Sequence, residues 1–289
     1  MNILVTGAKG QLGSEFKDIS PSFTNFQFFF TGSDAIDICN YFELEIFVLA
    51  NKIDAIINCA AYTQVDKAEI AFEQAEKVND LAVHNLAKVV KKIDGKIIHI
   101  STDYVFDGTN YKPYVEEDVT NPLGVYGETK LKGEAALKEF GVNGITLRTS
   151  WLYSEFGNNF VKTMLKLGKD KDTLGVIFDQ VGSPTNAKGL AFACLHILSI
   201  KEKLNEHGFV YHYSNEGVTS WYDFAKAIFE FANINCKVNP IETKEYPTPA
   251  KRPHYSVLNK SKIKKYFGVE IPYWRDSLKE CIKNINDKI

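Results

Sequence analysis

A tyrosine and a lysine stand four residues apart in the segment Tyr126-Gly-Glu-Thr-Lys130. On a helix, residues i and i+4 lie on one face, so the phenol and the ammonium can approach each other. A nearby ammonium stabilises a phenolate and lowers the pKa of tyrosine from its ordinary value of about 10. Such a phenol can give its proton to a carbonyl oxygen that is receiving a hydride. Although the same spacing also occurs on solvated helices, the pair predicts acid catalysis by Tyr126 with Lys130 as its partner.

Two hydroxyl residues, Ser101 and Thr102, follow directly after an apolar run at residues 96–100. A hydroxyl at the end of a strand can donate to the carbonyl oxygen that Tyr126 would protonate. Taken alone, either residue would be a turn or helix-capping residue. Taken with Tyr126 and Lys130, Thr102 is predicted to take part in catalysis.

Three glycines, Gly7, Gly10 and Gly13, follow the first apolar run of the chain and open a helical segment. Glycine lets the backbone turn tightly and approach a pyrophosphate, and the start of the helix offers free N–H groups to the phosphates. A glycine triplet is a weak signal by itself, but its place between a strand and a helix strengthens it. The loop predicts a dinucleotide, NADH or NADPH.

The adenosine ribose is expected to lie near the end of the second strand, about 20 residues further on. That stretch reads Phe30-Thr31-Gly32-Ser33-Asp34, with no acid at the first turn position. Without a carboxylate there, a 2′-phosphate meets no repulsion, yet no arginine is present to bind it. The pattern favours NADPH slightly and permits NADH.

Alternating apolar runs and amphipathic segments must position these residues. The predicted strands cover residues 2–6, 26–31, 55–59, 96–101 and 144–148, and the predicted helices cover 11–18, 43–51, 71–93 and 125–140. This alternation is typical of an α/β fold with a doubly wound parallel sheet, in which ligands bind at the carboxyl ends of the strands. Residues 1–150 are therefore interpreted as a nucleotide-binding domain. Residues 151–289 are expected to form mainly a smaller substrate-binding lobe, with some segments returning to the first domain, and the proline-rich stretch 239–253 is expected to be a loop.

The bulk properties narrow the classes of function. The chain has 289 residues, 45% of them hydrophobic, and a net charge of -2, so no electrostatic field favours binding to nucleic acid. No apolar run reaches the length of about 18 residues that a membrane span requires. The N-terminus lacks the pattern of a signal peptide, and the five scattered cysteines indicate neither disulfides nor a zinc site. A cytoplasmic enzyme is the expectation.

Longer strings of residues extend these motifs. They are Asn58-Cys-Ala-Ala-Tyr62, Ala60–Glu69 (AAYTQVDKAE), Ser101–Gly108 (STDYVFDG), Arg148-Thr-Ser-Trp-Leu-Tyr153, Asp179–Thr185 (DQVGSPT) and Arg252–Leu258 (RPHYSVL). With the glycine loop and the Tyr126–Lys130 pair, the chain resembles the extended short-chain dehydrogenase/reductase superfamily and, within it, the dTDP-4-dehydrorhamnose reductases. The resemblance covers essentially the whole chain. It implies a Rossmann-type fold and reduction of the 4-keto group of dTDP-4-dehydro-L-rhamnose to give dTDP-L-rhamnose, a polysaccharide precursor.

The resemblance also assigns roles to residues. It places Gly10, Gln11 and Leu12 at the pyrophosphate, Asp37 and Ile38 near the adenine, and Ala60, Ala61 and Tyr62 along the cofactor groove. It makes Tyr126 the proton donor, gives Lys130 the nicotinamide ribose, and sets Thr102 and Asp103 at the sugar carbonyl with Trp151 against the substrate. Some members of the family form homodimers around a magnesium ion; the sequence indicates no acidic cluster of that kind, so magnesium is implied by the resemblance alone.

Several alternatives remain open from the residues themselves. The enzyme can act on another nucleotide-linked keto sugar, or the chain can serve as a non-catalytic, NAD(P)-binding regulatory subunit. A 4,6-dehydratase is disfavoured because no Asp-Glu pair follows Thr102. Trp151 can equally be a core aromatic, and Arg252 can bind a diphosphate or form an ion pair within a loop.

Overall fold

The computed structural model describes residues 1–200, 204 and 209–287. Its central sheet has six strands: β1 (Asn2–Thr6), β2 (Gln27–Phe30), β3 (Ala55–Asn58), β4 (Lys96–Thr102), β5 (Asn143–Thr149) and β10 (Val210–His212). They are all parallel, in the order β10-β5-β4-β3-β1-β2. The chain starts at β1, one strand in from the edge of the sheet, and winds outward in both directions, so the predicted doubly wound parallel sheet is confirmed. The five strands predicted from the sequence are all present, and no end differs from the prediction by more than one residue.

Helices cover both faces of this sheet. They are α1 (Gln11–Ile19), α2 (Tyr41–Ala50), α3 (Val65–Ala68), α4 (Phe72–Glu76), α5 (Ala82–Lys92), α6 (Val125–Glu139) and α8 (Ala187–Ser199). Because successive strand residues point to opposite faces, Ile3 and Val5 pack into the layer of α1 and α8, while Leu4 packs with α2 and α5. Helix α8 comes from the second half of the chain and lies against α1. Two fully buried apolar layers therefore hold the sheet rigid beneath its carboxyl edge.

The single helix expected at residues 71–93 is instead interrupted by a π-helical turn at Lys77–Leu81, where the N–H of Ala82 donates to the carbonyl of Lys77. Such turns often occur at functional sites. This turn directs Asn79 toward helix α6. The backbone carbonyl oxygen of Asn79 lies 2.3 Å from the position that a Cβ on Gly133 would take. The buried amide of Asn79 accepts from the Tyr62 N–H at 2.9 Å and donates to the Thr129 hydroxyl at 3.1 Å. The bulge thus ties α6 to the loop after β3.

The remaining elements lie mostly beyond residue 150. They are β6 (Leu152–Tyr153), α7 (Phe160–Asp170), β7 (Thr173–Ile177), β8 (Val181–Gly182), β9 (Thr185–Asn186), β11 (Thr219–Ser220), α9 (Trp221–Ala232), β12 (Lys237–Ile241), α10 (Ser261–Phe267) and α11 (Trp274–Asp287). Helices α7, α9 and α11 share an apolar core of their own. The expected loop at 239–253 is wrong in its first residues: Pro240 lies in β12, which pairs with β7 and with no other described strand, so that a proline can be accommodated at its edge. Among the described residues, no helix has the length and hydropathy needed to cross a membrane.

Candidate active site

A cavity of about 910 Å³ opens at the carboxyl ends of the central strands, and the lobe beyond residue 150 forms its far wall. It brings together nearly every residue that the sequence singled out. Those lining it are Gly7, Gly10, Gln11, Leu12, Gly13, Asp37, Ile38, Ala60, Ala61, Thr102, Asp103, Tyr126, Lys130 and Trp151. Tyr62 is the exception, since it does not line the cavity. Its backbone N–H and carbonyl are both hydrogen-bonded to the side-chain amide of Asn79.

The glycine loop forms one end of this cavity. Gly7 has a φ of 64°, and a Cβ there would lie 2.6 Å from the backbone nitrogen of Ala60, so the close approach of β1 and β3 requires glycine. Gly10 has more space, since a Cβ would meet only the Gly7 carbonyl, at 3.2 Å. Helix α1 begins directly after Gly10 and has no side-chain cap, which leaves its first N–H groups available to an anion.

A lysine that sequence reasoning missed stands where the adenosine ribose is expected. Lys9 lines the cavity, and its Nζ lies 2.9 Å from Oδ2 of Asp34. Its side-chain carbons would be 3.5 Å from a Cβ on Gly32, so the cation lies beside the end of β2. The sequence shows no arginine near the end of β2, where a phosphate-binding cation was expected. Lys9 lies instead in the loop after β1. Only the pairing of the two strands brings them together.

Tyr126 and Thr102 meet inside the cavity, but the pKa of Tyr126 is not lowered as expected. Burial raises the pKa of Tyr126 to about 12; a hydrogen bond between Tyr126 and Thr102 opposes the rise and the charge of Asp103 adds to it. The prediction that Lys130 lowers this pKa is therefore wrong. The phenol holds its proton at neutral pH, which is the form a proton donor needs.

Lys130 is almost completely buried beneath the cavity floor. Its Nζ donates to the Ile100 carbonyl at 2.7 Å and lies 3.4 Å from Nε2 of His99. Burial lowers the pKa of Lys130 to about 8, while Glu134 and Cys59 oppose the shift. Burial also keeps the pKa of His99 well below its usual value, so its ring is neutral and does not repel the ammonium. The lysine therefore stays mostly charged at neutral pH and is held in one place.

Thr102 and Asp103 begin the 3₁₀ turn that follows β4. The Thr102 hydroxyl donates to Oδ1 of Asp103 at 3.1 Å and accepts from the Tyr104 N–H at 3.2 Å. Burial raises the pKa of Asp103 to about 6, although hydrogen bonds from Ser256 and Thr102 oppose the rise. The turn places a hydroxyl and a titratable carboxyl next to Tyr126, where they can bind an oxygen-rich substrate.

The far wall contains the predicted Trp151 and also Trp221, which the sequence did not identify. Trp151 lines the cavity from the end of β5, and Trp221 at the start of α9 lines it too. Nothing in the sequence around Trp221 distinguishes it from a core aromatic, because its place depends on how the two parts of the chain pack. Arg252 lies outside the cavity, where its guanidinium forms a bidentate pair with Asp66 at 3.0 and 2.7 Å. Of the two roles considered for Arg252, binding a diphosphate or forming an ion pair within a loop, the structure shows the ion pair.

An acidic cluster lies on the side of α1, outside this cavity. Carboxylate oxygens of Glu15, Asp18 and Glu155 all lie within 4.8 Å of one another. Burial raises the pKa of Glu15 to about 7, and within the described chain its Oε2 has no hydrogen-bond partner, while its Oε1 accepts from Ser154 at 2.6 Å. Sequence reasoning did not find this cluster, since Glu155 is far from Glu15 along the chain.

Comparisons with known proteins give a consistent result. The family described as "RmlD substrate binding domain" matches residues 1–286. A dTDP-4-dehydrorhamnose reductase of Escherichia coli (strain K12) is 40% identical over 296 residues, covering 99% of this chain and 98% of that protein. A solved dTDP-4-dehydrorhamnose reductase from Clostridium acetobutylicum is 42% identical, with a TM-score of 0.94 over 99% of this chain and 100% of the other. Another from Bacillus anthracis, solved in complex with NADP, is 34% identical, with a TM-score of 0.92 over 98% and 99%.

Proposed function

The chain belongs to the RmlD family, whose close relatives are dTDP-4-dehydrorhamnose reductases, and from this premise we propose how its own residues perform the reaction. It is an NAD(P)H-dependent oxidoreductase that reduces the 4-keto group of dTDP-4-dehydro-L-rhamnose to give dTDP-L-rhamnose. One observation carries the assignment of residues. A single cavity contains both the glycine loop and the set Thr102, Tyr126 and Lys130.

The reaction needs a hydride at C4 of the sugar and a proton at its O4. The reduced nicotinamide, when bound, supplies the hydride. Tyr126 gives its phenolic proton to O4, and the Thr102 hydroxyl donates a hydrogen bond to the same oxygen. Lys130 binds the nicotinamide ribose, and its charge stabilises the phenolate that forms. The glycine loop and the open start of α1 hold the pyrophosphate of the cofactor, with Gly10, Gln11 and Leu12 at its oxygens.

The sugar is held from the opposite side. We propose that Asp103 accepts hydrogen bonds from sugar hydroxyls and that the indole of Trp151 packs against the substrate. On this reading, residues 151–289 serve mainly the substrate and residues 1–150 mainly the cofactor. The cavity wall draws on both, which supports the division.

We propose NADPH as the preferred reductant. Lys9 supports this preference, because its ammonium lies beside the ribose end of the groove and its partner Asp34 is exposed and exchangeable. Gly32 itself brings no carboxylate, and the Asp34 carboxylate, whose Oδ1 lies 2.7 Å from where a Cβ on Gly32 would be, is paired with the Lys9 ammonium. The relative from Bacillus anthracis, which was solved with NADP, agrees with this preference.

An absorbance assay tests the assignment as a whole. Purified protein is mixed with dTDP-4-dehydro-L-rhamnose and either NADPH or NADH, and loss of the reduced nicotinamide is followed. We expect turnover with both, and a higher kcat/KM with NADPH. A higher value with NADH would overturn the role of Lys9. No turnover with either, despite measurable cofactor binding, would contradict the substrate and favour another keto sugar or a regulatory subunit.

The pH dependence of sugar binding should follow Asp103. Its pKa of about 6 is above the ordinary value, so the carboxylate is charged at about pH 8 and mostly neutral at about pH 5. A neutral carboxyl loses acceptor capacity. We therefore expect the KM of the nucleotide sugar to rise as the pH falls through about 6, while Asp103→Asn gives a KM that is higher and flat. A KM that rises equally in Asp103→Asn would assign the titration to another group.

We further propose that Glu15, Asp18 and Glu155 bind a divalent cation such as Mg²⁺ and that a homodimer forms there, as in some members of the family. An oxygen-only donor set suits this ion, and the buried, unpartnered Oε2 of Glu15 is the group it would neutralise. The Lys188 ammonium lies 3.4 Å from Oδ2 of Asp18 and already neutralises part of the negative charge of the cluster. The cation would hold α1 to the loop after β6, away from the catalytic cavity.

Thermal unfolding with and without Mg²⁺ tests this site. Because the pKa of Glu15 is raised to about 7, its contribution to stability is lost as the pH rises through that value, and the charged form is the one that a cation stabilises. Mg²⁺ should therefore raise Tm more at about pH 8 than at about pH 5, and Glu15→Gln should remove the effect, with the exposed Glu73→Gln as control. Light scattering reports the mass in the same samples. No shift in Tm at either pH would contradict the cation site, and a monomeric mass would contradict the dimer.

We propose the cytoplasm as the site of action. All five cysteines, which fall within the described residues, are unpaired, and three of them are buried. Unpaired thiols suit a reducing compartment.

A further inference from the structure

Two tryptophans stack face to face in the wall of the cavity. The ring centroids of Trp151 and Trp221 are 3.6 Å apart and the ring planes differ by 6°. Trp151 follows β5 of the central sheet, whereas Trp221 is the first residue of α9 in the second half of the chain. The pair therefore joins the two parts of the protein beside the catalytic residues.

The backbone holds Trp151 in an unusual conformation. Its φ is 49°, in the left-handed region that large side chains rarely adopt. Gly182 makes room for the ring, since a Cβ there would lie 2.7 Å from Cε2 of Trp151. A strained backbone conformation persists when the surrounding residues hold it in place. Here Gly182 lies on one side of the indole and Trp221 on its face.

Trp221 is supported from behind, so it can act as a fixed surface. Its ring centroid lies 4.6 Å from that of Phe160 and 6.3 Å from that of Phe224, and both phenylalanines pack in the apolar core of the second lobe. Ser220 caps the helix by accepting from the Asp223 N–H at 3.1 Å and donating to the carboxylate of Asp223 at 2.6 Å. The helix start and the ring are thereby held together.

One face of Trp151 is thus covered by Trp221 and one edge lies against Gly182, while the residue also lines the cavity. We propose that Trp221 is a positioning residue for the nucleotide sugar: by stacking on Trp151 it fixes the indole surface against which the substrate binds. This proposal rests on the proposed function, and in particular on contact between Trp151 and the substrate. Trp221 acts through Trp151 and leaves the reacting atoms to Tyr126 and Thr102.

The test combines kinetics with far-UV circular dichroism. Two indoles this close couple their strong far-UV transitions and give a paired positive and negative band. The chain has three tryptophans, so the band can be assigned with Trp151→Phe, Trp221→Phe and Trp274→Phe. The first two should remove it and the third should leave it, because Trp274 is buried in the same lobe core but does not line the cavity.

The kinetic arm compares Trp221→Leu with Trp221→Phe. Leucine keeps apolar bulk but removes the flat ring, and loss of an aromatic pair corresponds to a KM for the sugar raised about tenfold. Phenylalanine keeps a ring and should recover most of that loss. For Trp221→Leu, the KM of NADPH and kcat should change by less than about threefold, because cofactor binding and proton transfer do not involve this wall. Trp274→Phe controls for damage to the lobe core.

Each outcome bears on the proposal. Loss of the paired band in Trp221→Leu with an unchanged sugar KM would overturn the positioning role, as would an equal KM increase in Trp274→Phe. A spectrum that Trp151→Phe and Trp221→Phe both left unchanged would overturn the stack itself. The band is measured without substrate, so a wild-type protein that showed it yet did not reduce dTDP-4-dehydro-L-rhamnose would contradict the proposed function and leave the stack standing; the same KM comparison would then be made with the keto sugar it does reduce.

Discussion

Replacing Tyr126 by phenylalanine should lower kcat by about 10²- to 10⁴-fold, the usual contribution of a positioned general acid. The loss follows because O4 would then receive no proton from the protein at the moment of hydride transfer. The substitution removes one buried hydroxyl and keeps the ring, whose centroid lies 5.5 Å from that of Tyr104. We therefore expect the KM of NADPH to change by less than about threefold.

The measurement is steady-state kinetics with both substrates varied, together with a fluorescence titration of cofactor binding. Tyr114→Phe is the matched control, because Tyr114 is also buried and hydrogen-bonded but lies outside the cavity. Its kcat should stay close to that of the wild type. If Tyr126→Phe kept a normal kcat, Tyr126 would not be the acid, and Tyr104, the other phenol lining the cavity, would be the next candidate.

Removing Glu134 should cost about 3–5 kcal/mol of unfolding free energy, because it breaks a buried ion pair and leaves a charge behind. Glu134 accepts from Arg148 at 2.7 Å and from the Ser101 hydroxyl at 2.5 Å, and both charged residues are about 5% exposed. The pair joins α6 to β4 and β5 one helical turn after Lys130. Glu134→Ala should therefore also lower activity, by loosening the helix that carries Tyr126 and Lys130.

Urea unfolding of Glu134→Ala measures this cost. Lys132→Ala lies on the same helix and breaks exposed ion pairs with Glu76 and Glu128, so it should cost only about 0–1 kcal/mol. The double variant Glu134→Leu/Arg148→Met should recover most of the stability, since it removes both charges and leaves apolar groups. A loss below about 1 kcal/mol in Glu134→Ala would mean that water reaches the pair and that the burial seen here does not persist in solution.

Burial sets the protonation states of Tyr126 and Lys130 before the reaction. Burial disfavours the charged forms of both groups, so the phenol holds its proton and the lysine has a pKa of about 8. The lysine keeps its charge near neutral pH and donates to the Ile100 carbonyl. Under the proposed mechanism, the Lys130 ammonium stabilises the phenolate only after the phenol has lost its proton, so the stabilisation acts in the product of the proton transfer.

Local patterns in the sequence were enough to predict the fold class and most of the singled-out residues that line the cavity. Buried parallel strands are short apolar runs, and strand Asn2–Thr6 was predicted to the residue. Gly7, Gly10 and Gly13 are recognisable because a strand–turn–helix with close backbone contact excludes side chains. Tyr126 and Lys130 are recognisable because a helix puts residues four apart on one face. In each case the chemistry depends on neighbours along the chain.

Only the tertiary structure decided what depends on distant neighbours. The pKa of Tyr126 was predicted in the wrong direction because the fold buries the phenol, and burial raises its pKa. Lys9 beside Asp34, Glu15 beside Glu155 and Trp221 on Trp151 come from segments that meet through strand pairing or lobe packing. The π turn at Lys77–Leu81 likewise follows from the fit of Asn79 against Gly133 on another helix. Sequence periodicity reports which face of an element is apolar, whereas these contacts depend on which elements pack against each other.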